Sequence, residues 1–373
     1  MSKQISKVKI THLTSVHPRY DTRIFVKECL SLTKVQDYSV SLIVADSLGD
    51  EEKQGVQIYD VGKLKGRINR MFKTTQKVFE KAKELDSDIY HFHDPELIPV
   101  GIKLKGLGKK VVFDIHEDVP KQILAKPYLS MLSKKVLSLL YALYEKRMCK
   151  AFDSLVVPTP LMQEYFSKIN PRTVEVRNYP IPEELLLDQP WESRKNSLCH
   201  IGSLAKARGV SEMIRSLSFS CLTLELGGDF RPKKLEEELR ALDAWKYVNY
   251  HGYLSRAGVK KVLSMSKVGL VTLHPTKSYM EAIPVKMFEY MAAGIPIIAS
   301  DFPFYRELLE GYDCAVFVDP LDPKEIALGC QGLLEDECQA EKMGEIGKQA
   351  VVEKFNWSHE EKKLYAMYKE LNQ

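Results

Sequence analysis

Tyr279-Met-Glu-Ala-Ile-Pro-Val-Lys-Met-Phe-Glu-Tyr-Met-Ala-Ala-Gly-Ile-Pro-Ile-Ile-Ala-Ser300 is the stretch on which the reading of the chain turns. Pro284 has no amide hydrogen to lose and its φ is already helical, which suits the first position of a helix, while Gly294 followed by Pro296 suits the end of one. The spacing predicts a helix over 284–293. The apolar run Ile297, Ile298, Ala299 then reads as a short buried strand, giving loop, helix, turn, strand.

Two carboxylates lie in this stretch, Glu281 in the loop before the helix and Glu289 inside it. The amides of Ala282 and Ile283 and the positive end of the helix dipole would point the same way as Glu281. Lys286 falls in the first turn, where the dipole disfavours a cation by ~0.3–1 kcal/mol, so an anion nearby accounts for it better than helix stability does. Exposed amides with a cation suit a phosphate or pyrophosphate. A carboxylate in the helix can accept two hydrogen bonds from a vicinal diol such as ribose, and one in the loop can hold sugar hydroxyls. The plainer alternative is that Glu281 caps the helix and Lys286 pairs with Glu289.

At 373 residues the chain suits two domains. Its 45% apolar and 28% charged residues are ordinary for a globular protein. The seven cysteines are odd in number and scattered, without a Cys-x-x-Cys pair, which argues for a reducing cytoplasm and against a disulfide framework or a zinc site. Met-Ser-Lys-Gln-Ile-Ser-Lys leads directly into a strand-like run, so no signal peptide is expected. No uninterrupted apolar run reaches the ~18 residues of a membrane span. Residues 1–185 carry 30 Lys and Arg against 23 Asp and Glu, a balance of +7, and the remainder −3. A basic half suits anionic lipid, a phosphorylated acceptor or nucleic acid; no aromatic-basic interleaving or nucleic-acid motif supports the last.

Strand-like runs at 8–13, 40–44, 56–61, 89–92 and 111–113 alternate with helical segments, the pattern of a parallel sheet under helices. A second series follows at 198–201, 222–226, 248–250, 268–273, 297–299 and 315–318. Two doubly wound α/β domains are therefore expected, with a linker in Arg177-Asn-Tyr-Pro-Ile-Pro182, where two prolines interrupt regular structure. Ligands bind beyond the C-terminal ends of such strands. Polar residues collect there: His17, Pro18, Arg19, Asp21, Thr22 and Arg23 after the first strand, His93, Asp94 and Glu96 after the fourth, Asp114, His116, Glu117 and Asp118 after the fifth. In the second series, Gly202-Ser-Leu-Ala-Lys-Ala-Arg208-Gly209 is a glycine turn into a helix start carrying two cations, Lys206 and Arg208, and reads as a second phosphate cradle or as a plain turn.

Glu281, seven residues, Glu289, running into Tyr-Met-Ala-Ala-Gly-Ile-Pro-Ile-Ile-Ala-Ser, resembles the donor-site signature of the family 4 (group 1) retaining glycosyltransferases of the GT-B fold. The likeness covers nearly the whole chain, strongly in the second half and loosely in the first. It implies two Rossmann-like domains facing each other across a cleft: an acceptor domain at 1–180, a nucleotide-sugar donor domain at 181–355, and a C-terminal helix, 356–373, crossing back. It implies metal-independent transfer of a sugar from a UDP- or GDP-type donor to a hydroxyl of a glycan, with no cofactor. Gly202 to Gly209 is similar to the family's Gly-Arg-Leu-x-x-x-Lys-Gly, in which Arg and Lys grip the diphosphate. Arg208 falls on the Lys position and keeps the charge; Ser203 falls on the Arg position and removes it, which Lys206 or Lys286 would have to offset.

By the same likeness, Glu281 would hold sugar hydroxyls and Glu289 the ribose, while Arg208, Lys206, Lys286 and the amides of Ala282 and Ile283 would stabilise the leaving diphosphate. Gly228 and the backbone at Tyr253 and Leu254 would line the nucleotide. His116, in Phe113-Asp-Ile-His, matches the family's histidine at the reacting sugar, so His116, Glu281 and Arg208 are the expected catalytic set, with His17, Arg23, His93 and Asp94 toward the acceptor. His17 to Arg23 replaces the family's glycine-rich loop. In the family's front-face mechanism the leaving phosphate takes the acceptor proton, so no general base need stand out. Phe355-Asn-Trp-Ser-His-Glu-Glu is expected to open the last helix with Ser358 and Glu361 as a capping box.

A basic first half and the resemblance together suggest a lipid-linked acceptor in capsule or O-antigen assembly and a cytoplasmic chain touching the inner membrane face. Lys63 to Lys73 interleaves cations with Leu64, Ile68, Met71 and Phe72, as an interfacial helix does, or is an ordinary helix with a buried stripe. The apolar helix at 129–149 is expected to be core. Two other readings stay open: a hydrolysing nucleotide-sugar 2-epimerase, with Asp94, Glu117 and Asp118 as bases, and a non-catalytic partner or glycan-binding protein.

Overall fold

The computed structural model describes residues 7–126, 130–187 and 189–373, so residues 1–6, on which the leader expectation rests, and Leu129 lie outside the described residues. Contacts divide the chain into two units, Met1–Asn178 with Ser358–Gln373 and Tyr179–Trp357, against expected borders at 180 and 355. Both units are α/β, as the alternation of strands and helices requires.

In the first unit the strands are β1 Val8–Leu13, β2 Tyr38–Val44, β3 Glu51–Lys53, β4 Val56–Asp60, β5 Ile89–Phe92, β6 Lys110–Asp114, β7 Ser154–Val157 and β8 Thr173–Glu175. Among the described residues they form one sheet in the order β3-β4-β2-β1-β5-β6-β7-β8, parallel except for the β3 hairpin. β3, β7 and β8 were not expected from the sequence. β3 is a polar edge strand turned by Gln54 and Gly55, both at positive φ, and carries no apolar alternation to read. β8 is three residues long, too short for a periodicity, whereas the apolar run 155–157 of β7 is as long as those of strands that were expected and was passed over.

Alternation along the strands sorts the first unit's interior into two faces. Phe92 and Phe113 stack at 4.4 Å on one face, in a core with Leu13, Leu97 and Leu104. The other face presents His12, His91, His93 and Asp114, because His12 pairs with His91 in register and His91 with Val112. That polar face is met by helix 22–33, whose first part, Thr22–Cys29, is wound as a π-helix, and by the C-terminal helix Trp357–Leu371. The last helix starts at Trp357, two residues earlier than a Ser358 cap allows, and Glu361 accepts from Ser31 Oγ at 2.7 Å, which corrects the expected capping box.

In the second unit, β9 Ser197–Ile201, β10 Thr223–Gly227, β11 Val248–Gly252, β12 Val268–Val271, β13 Ile297–Ser300 and β14 Ala315–Val318 form a sheet, among the described residues, in the order β11-β10-β9-β12-β13-β14 with parallel pairs throughout. The deciding helix runs Val285–Ala292. Pro284 is its N-cap, at ψ 109°, and not its first turn, because the residue before the helix proper keeps an extended ψ. Gly294, at φ 66°, closes it: the Gly294 amide donates to Met291 O (2.9 Å) and the Ile295 amide to Tyr290 O (3.0 Å), a Schellman pair.

The helix Met131–Cys149 corrects the expectation of a core helix. Met131, Leu132, Leu139, Leu140 and Leu143 are all more than half exposed, and only Ser138, Glu145 and Cys149 are buried. Too little of its length contacts the sheet to bury an apolar girth, so most of that girth faces water. Among the described residues, no helix is long and apolar enough to cross a membrane.

Candidate functional site

In the second unit β10 and β11 end in glycine and the neighbouring β9 is followed by Gly202, and these ends are stitched by backbone bonds. The Gly202 amide donates to Gly227 O (2.9 Å) and the Gly228 amide to Gly252 O (2.7 Å). A Cβ at Gly228 would lie 1.7 Å from Gly202 O, and one at Gly209 1.8 Å from Thr272 O, so neither turn admits a side chain. Bare backbone at the C-terminal strand ends is where a ligand can come close.

Lys286 closes this turn from the helix side. It is 8% exposed, and its Nζ lies 3.1 Å from His200 Nε2. His200 Nδ1 donates to Leu270 O at 2.9 Å, which leaves Nε2 as an acceptor for the ammonium. A Cβ on Gly202 would stand 3.2 Å from the same Nζ. Burial, then the charge of Arg208, push Lys286 down to about 7, with Glu289 opposing. Burial and the Lys286 charge hold His200 well below its usual value, so it stays neutral. Lys286 does not pair with Glu289 as the plainer reading had it; Glu289 Oε1 accepts from Arg256 Nη1 at 2.7 Å, and Arg256 also pairs with Glu184 at 2.8 Å. Two cations are thus held against each other beside a glycine turn, an arrangement that an oxyanion would relieve.

The remaining expected donor residues surround that turn. Lys206 is exposed and Arg208, Ser203 and Gly202 are part-buried, with Lys206–Arg208 forming a single 3₁₀ turn before helix Val210–Ser220. The Arg208 guanidinium sits 5.8 Å from the centre of the Tyr279 ring. Glu281 ends the short helix Lys277–Met280 and is part-buried. The Ala282 amide, expected to be free, points to Tyr279 O at 3.4 Å. Leu254 packs over Gly227, and Tyr253 is 80% exposed. His200 is the residue that sequence reasoning passed over; its position one strand step before the Ile201-Gly202 turn was the available signal.

In the first unit, β1, β5 and β6 bring together their three polar clusters, as expected. Asp94 accepts from the Ser15 amide (2.6 Å) and from Thr14 Oγ1 (2.8 Å) and lies 3.5 Å from His17 Nε2. His116 Nε2 is 2.8 Å from Asp114 Oδ2, and the His17 and His116 rings meet edge-on at 5.3 Å. Burial opposes the charge on His17, but the bond to Asp21 and the charges of Asp94, Asp21 and Asp114 raise it above the usual histidine range. His17 and His116 are the part-exposed members.

Arg23 and His93 are placed elsewhere than the acceptor role expected of them. Arg23 is 6% exposed and spends its guanidinium inside, on Asp114 through Nε (2.8 Å) and Nη2 (2.9 Å) and on Val176 O through Nη1 (3.0 Å). His93 is 1% exposed, with Nδ1 3.2 Å from Asp114 Oδ2 and Nε2 2.9 Å from His12 Nδ1. Both hold Asp114 from within. Burial opposes it, but the Arg23 guanidinium and then His116 and His93 keep Asp114 well below the usual carboxylate range, a charged anchor for His116. The carboxylates that an epimerase would use are committed: Asp94 as above, Asp118 as N-cap to the Lys121 amide (2.9 Å), and Glu117 to Gln122.

Comparison with known proteins divides the chain within four residues of the border between the two units. Residues 28–182 match the family described as Glycosyltransferase Family 4, and residues 183–350 match Glycosyl transferases group 1. An uncharacterized glycosyltransferase of Methanocaldococcus jannaschii is 24% identical over 76% of this chain and 75% of its own. Among solved structures, sucrose-phosphate synthase of Thermosynechococcus elongatus superposes with a TM-score of 0.78 at 16% identity, covering 98% of this chain and 99% of that one. HepE of Anabaena in complex with UDP gives 0.70 at 13%, covering 98% and 100%. These likenesses show the fold.

Proposed function

The chain belongs to the group 1, family 4 glycosyltransferases of the GT-B fold, and from that premise we propose that it transfers a sugar with retention from a nucleoside diphosphate donor to a hydroxyl of a glycan. The observation that carries the donor site is Lys286: a buried ammonium beside the Gly202 turn, held on His200 and facing the charge of Arg208. A diphosphate is the ligand that such a pair of cations and a glycine turn favour, and its charge grows as the anomeric bond breaks. Glu289, with Arg256 beside it, takes the ribose, and Glu281 the sugar hydroxyls. UDP is the first nucleotide to test, since a fold relative binds it. The leaving phosphate takes the acceptor proton on the sugar's front face, with no metal, and His116, anchored by Asp114, is the residue of the first unit assigned to the reacting sugar.

The acceptor is lipid-linked in this reading, as in cell-surface polysaccharide assembly. What supports it is an apolar surface fringed with cations on the first unit. Ile68 and Phe72 are 76% and 69% exposed among Lys63, Lys65, Arg67 and Lys73. Helix Met131–Cys149 adds its exposed leucines between Lys134, Lys135 and Lys146, Arg147, Lys150. An anionic bilayer complements both features.

The test is nucleotide release from UDP- and GDP-sugars, measured with and without a hydroxyl acceptor. Release that accelerates with acceptor, with an α-configured product from an α-donor, supports retaining transfer. Release independent of any acceptor speaks for hydrolysis, and an inverted product for a different mechanism.

A further inference from the structure

We propose that His12, Glu28, His91 and His93 form a structural site for a divalent transition-metal ion of the zinc class inside the first unit. The strand register makes the site. His12 and His91 are partners across the parallel pair β1/β5, and His93 lies two residues further on the same face. Glu28 comes down on them from the π-wound segment Thr22–Cys29.

Glu28 Oε2 is close to equidistant from three imidazole nitrogens: 3.8 Å from His12 Nδ1, 4.0 Å from His91 Nδ1 and 3.9 Å from His93 Nε2. All four potential ligand atoms lie within 4.8 Å of one another. Tetrahedral zinc with bonds of about 2.0–2.1 Å needs ligand atoms roughly 3.3–3.4 Å apart, so the Glu28 contacts at 3.8–4.0 Å must close and the His12–His93 pair at 2.9 Å must open by about half an ångström around the ion. Three imidazoles and one carboxylate are a donor set suited to zinc, and also to cobalt.

The cluster is only partly satisfied without an ion: His12 Nδ1 and His93 Nε2 face each other and His91 Nδ1 meets the Tyr368 hydroxyl, while the Glu28 carboxylate is left over. All four residues are at most 1% exposed. Neither Glu28 oxygen makes a formed hydrogen bond among the described residues, although Oε1 has the Arg23 Nε at 3.1 Å, and His91 Nε2 is likewise without a partner. Two buried carboxylates, Glu28 and Asp114, share the one guanidinium of Arg23, whose Nε is 3.1 Å from the first and 2.8 Å from the second. A divalent ion would give this pair of carboxylates a second cationic partner.

An outer shell is already built. The Asp114 carboxylate lies 3.2 Å from His93 Nδ1, the ring nitrogen that would face away from the ion, and Arg23 fixes that carboxylate in turn. The Tyr368 hydroxyl is 3.2 Å from His12 Nε2 and 2.7 Å from His91 Nδ1; on metal binding it keeps the first contact and yields the second. Four protein ligands and no solvent access describe a closed site, so the ion acts on the fold of the first unit and leaves the transfer chemistry to the groups described above.

The experiment uses the full chain without an affinity tag, produced in zinc-supplemented medium and analysed for metal content. A second preparation is refolded with Co²⁺. The expected results are one ion per chain, visible absorption of tetrahedral Co²⁺ that zinc abolishes, and loss of both in His91→Ala and Glu28→Gln. Tyr368→Phe should weaken zinc about 10- to 100-fold while the chain stays folded. A wild-type chain that carries less than a tenth of an equivalent of metal, refolds equally well in chelator and shows no tetrahedral Co²⁺ spectrum overturns the proposal, whatever the variants do. So does stoichiometric metal retained by the His12→Ala/His91→Ala double variant.

Discussion

The Lys286 ammonium rests 3.1 Å from His200 Nε2, and the other nitrogen of that ring is bound to Leu270 O, so a buried neutral histidine holds the lysine at the glycine turn. Replacing His200 by Phe removes the acceptor and leaves the ammonium to wander. A hydrogen bond to a charged group contributes about 1.5–3 kcal/mol, so nucleotide affinity should fall roughly 10- to 100-fold with little change in fold. Titration calorimetry with UDP on the purified variant checks this; unchanged affinity removes His200 from the site.

Lys286 also sets a pH dependence. In the free protein burial and Arg208 bring it to about 7. A bound diphosphate favours the charged form and raises that value, so binding takes up a proton above pH 7. Above about pH 7 affinity should weaken by up to about tenfold per pH unit until the bound-state value is passed. Phosphate groups with a second pKa near ~6 are mostly ionised above pH 7, so the slope there belongs to Lys286. Lys286→Ala should abolish the slope, which calorimetry in two buffers of different ionisation heat reads as proton uptake.

Gly228→Ala should be among the most costly single-methyl changes in the second unit. Its Cβ would fall 1.7 Å from Gly202 O at a backbone φ of 133°, so the backbone of one turn must move. Strain of this kind costs on the order of 1–3 kcal/mol, or a fall of roughly 2–10 °C in melting temperature, and nucleotide binding should suffer with it. Gly311→Ala, at φ 84° with open space around it, is the control that separates φ strain from the clash.

Asp114→Asn tests the anchor of His116. The carboxylate takes two bonds from the buried Arg23 and lies 2.8 Å from His116. Removing one partner of a buried pair costs about 3–5 kcal/mol, so the variant should melt well below the wild type. His116→Ala, part-exposed and outside that pair, should keep the melting temperature and lose turnover. Equal stability of Asp114→Asn and wild type would contradict the electrostatic account.

Replacing Leu139, Leu140 and Leu143 by Asp should detach the chain from vesicles. These side chains are more than half exposed, so the triple change should not lower stability by more than about 1 kcal/mol. Flotation with vesicles containing a third anionic lipid should recover the wild type and not the variant. Wild-type chain that stays unbound at low salt rules the membrane face out.

Legibility in the sequence followed the strength of local signals. β1, β5 and β14 fell where the apolar runs placed them, and the Gly294-Ile295-Pro296 stop gave the end of the deciding helix within a residue. β3 escaped because an edge strand of Glu51-Glu-Lys has no buried face. The exposed helix Met131–Cys149 misled because apolarity on several sides reads as burial when the partner surface is unknown. The glycine turns, Lys286 and Glu289 were singled out by motif as candidates; His200 was not, since its contact with Lys286 depends on the third dimension, where Leu270 fixes its tautomer. Arg23 and His93 show the converse: a polar residue at a strand end reads as ligand-binding until its partners, here Asp114, are seen inside.

The most direct test of the donor site is the thermal shift and calorimetry of the wild-type chain with UDP, GDP and ADP, alongside Lys286→Ala, Arg208→Ala and Glu289→Ala. The account predicts that one nucleotide raises the melting temperature and that Lys286→Ala and Arg208→Ala each weaken it at least tenfold, with Glu289→Ala lowering affinity for the nucleotide but not for inorganic diphosphate. No response to any nucleotide, or a response that survives both cation substitutions, would contradict it.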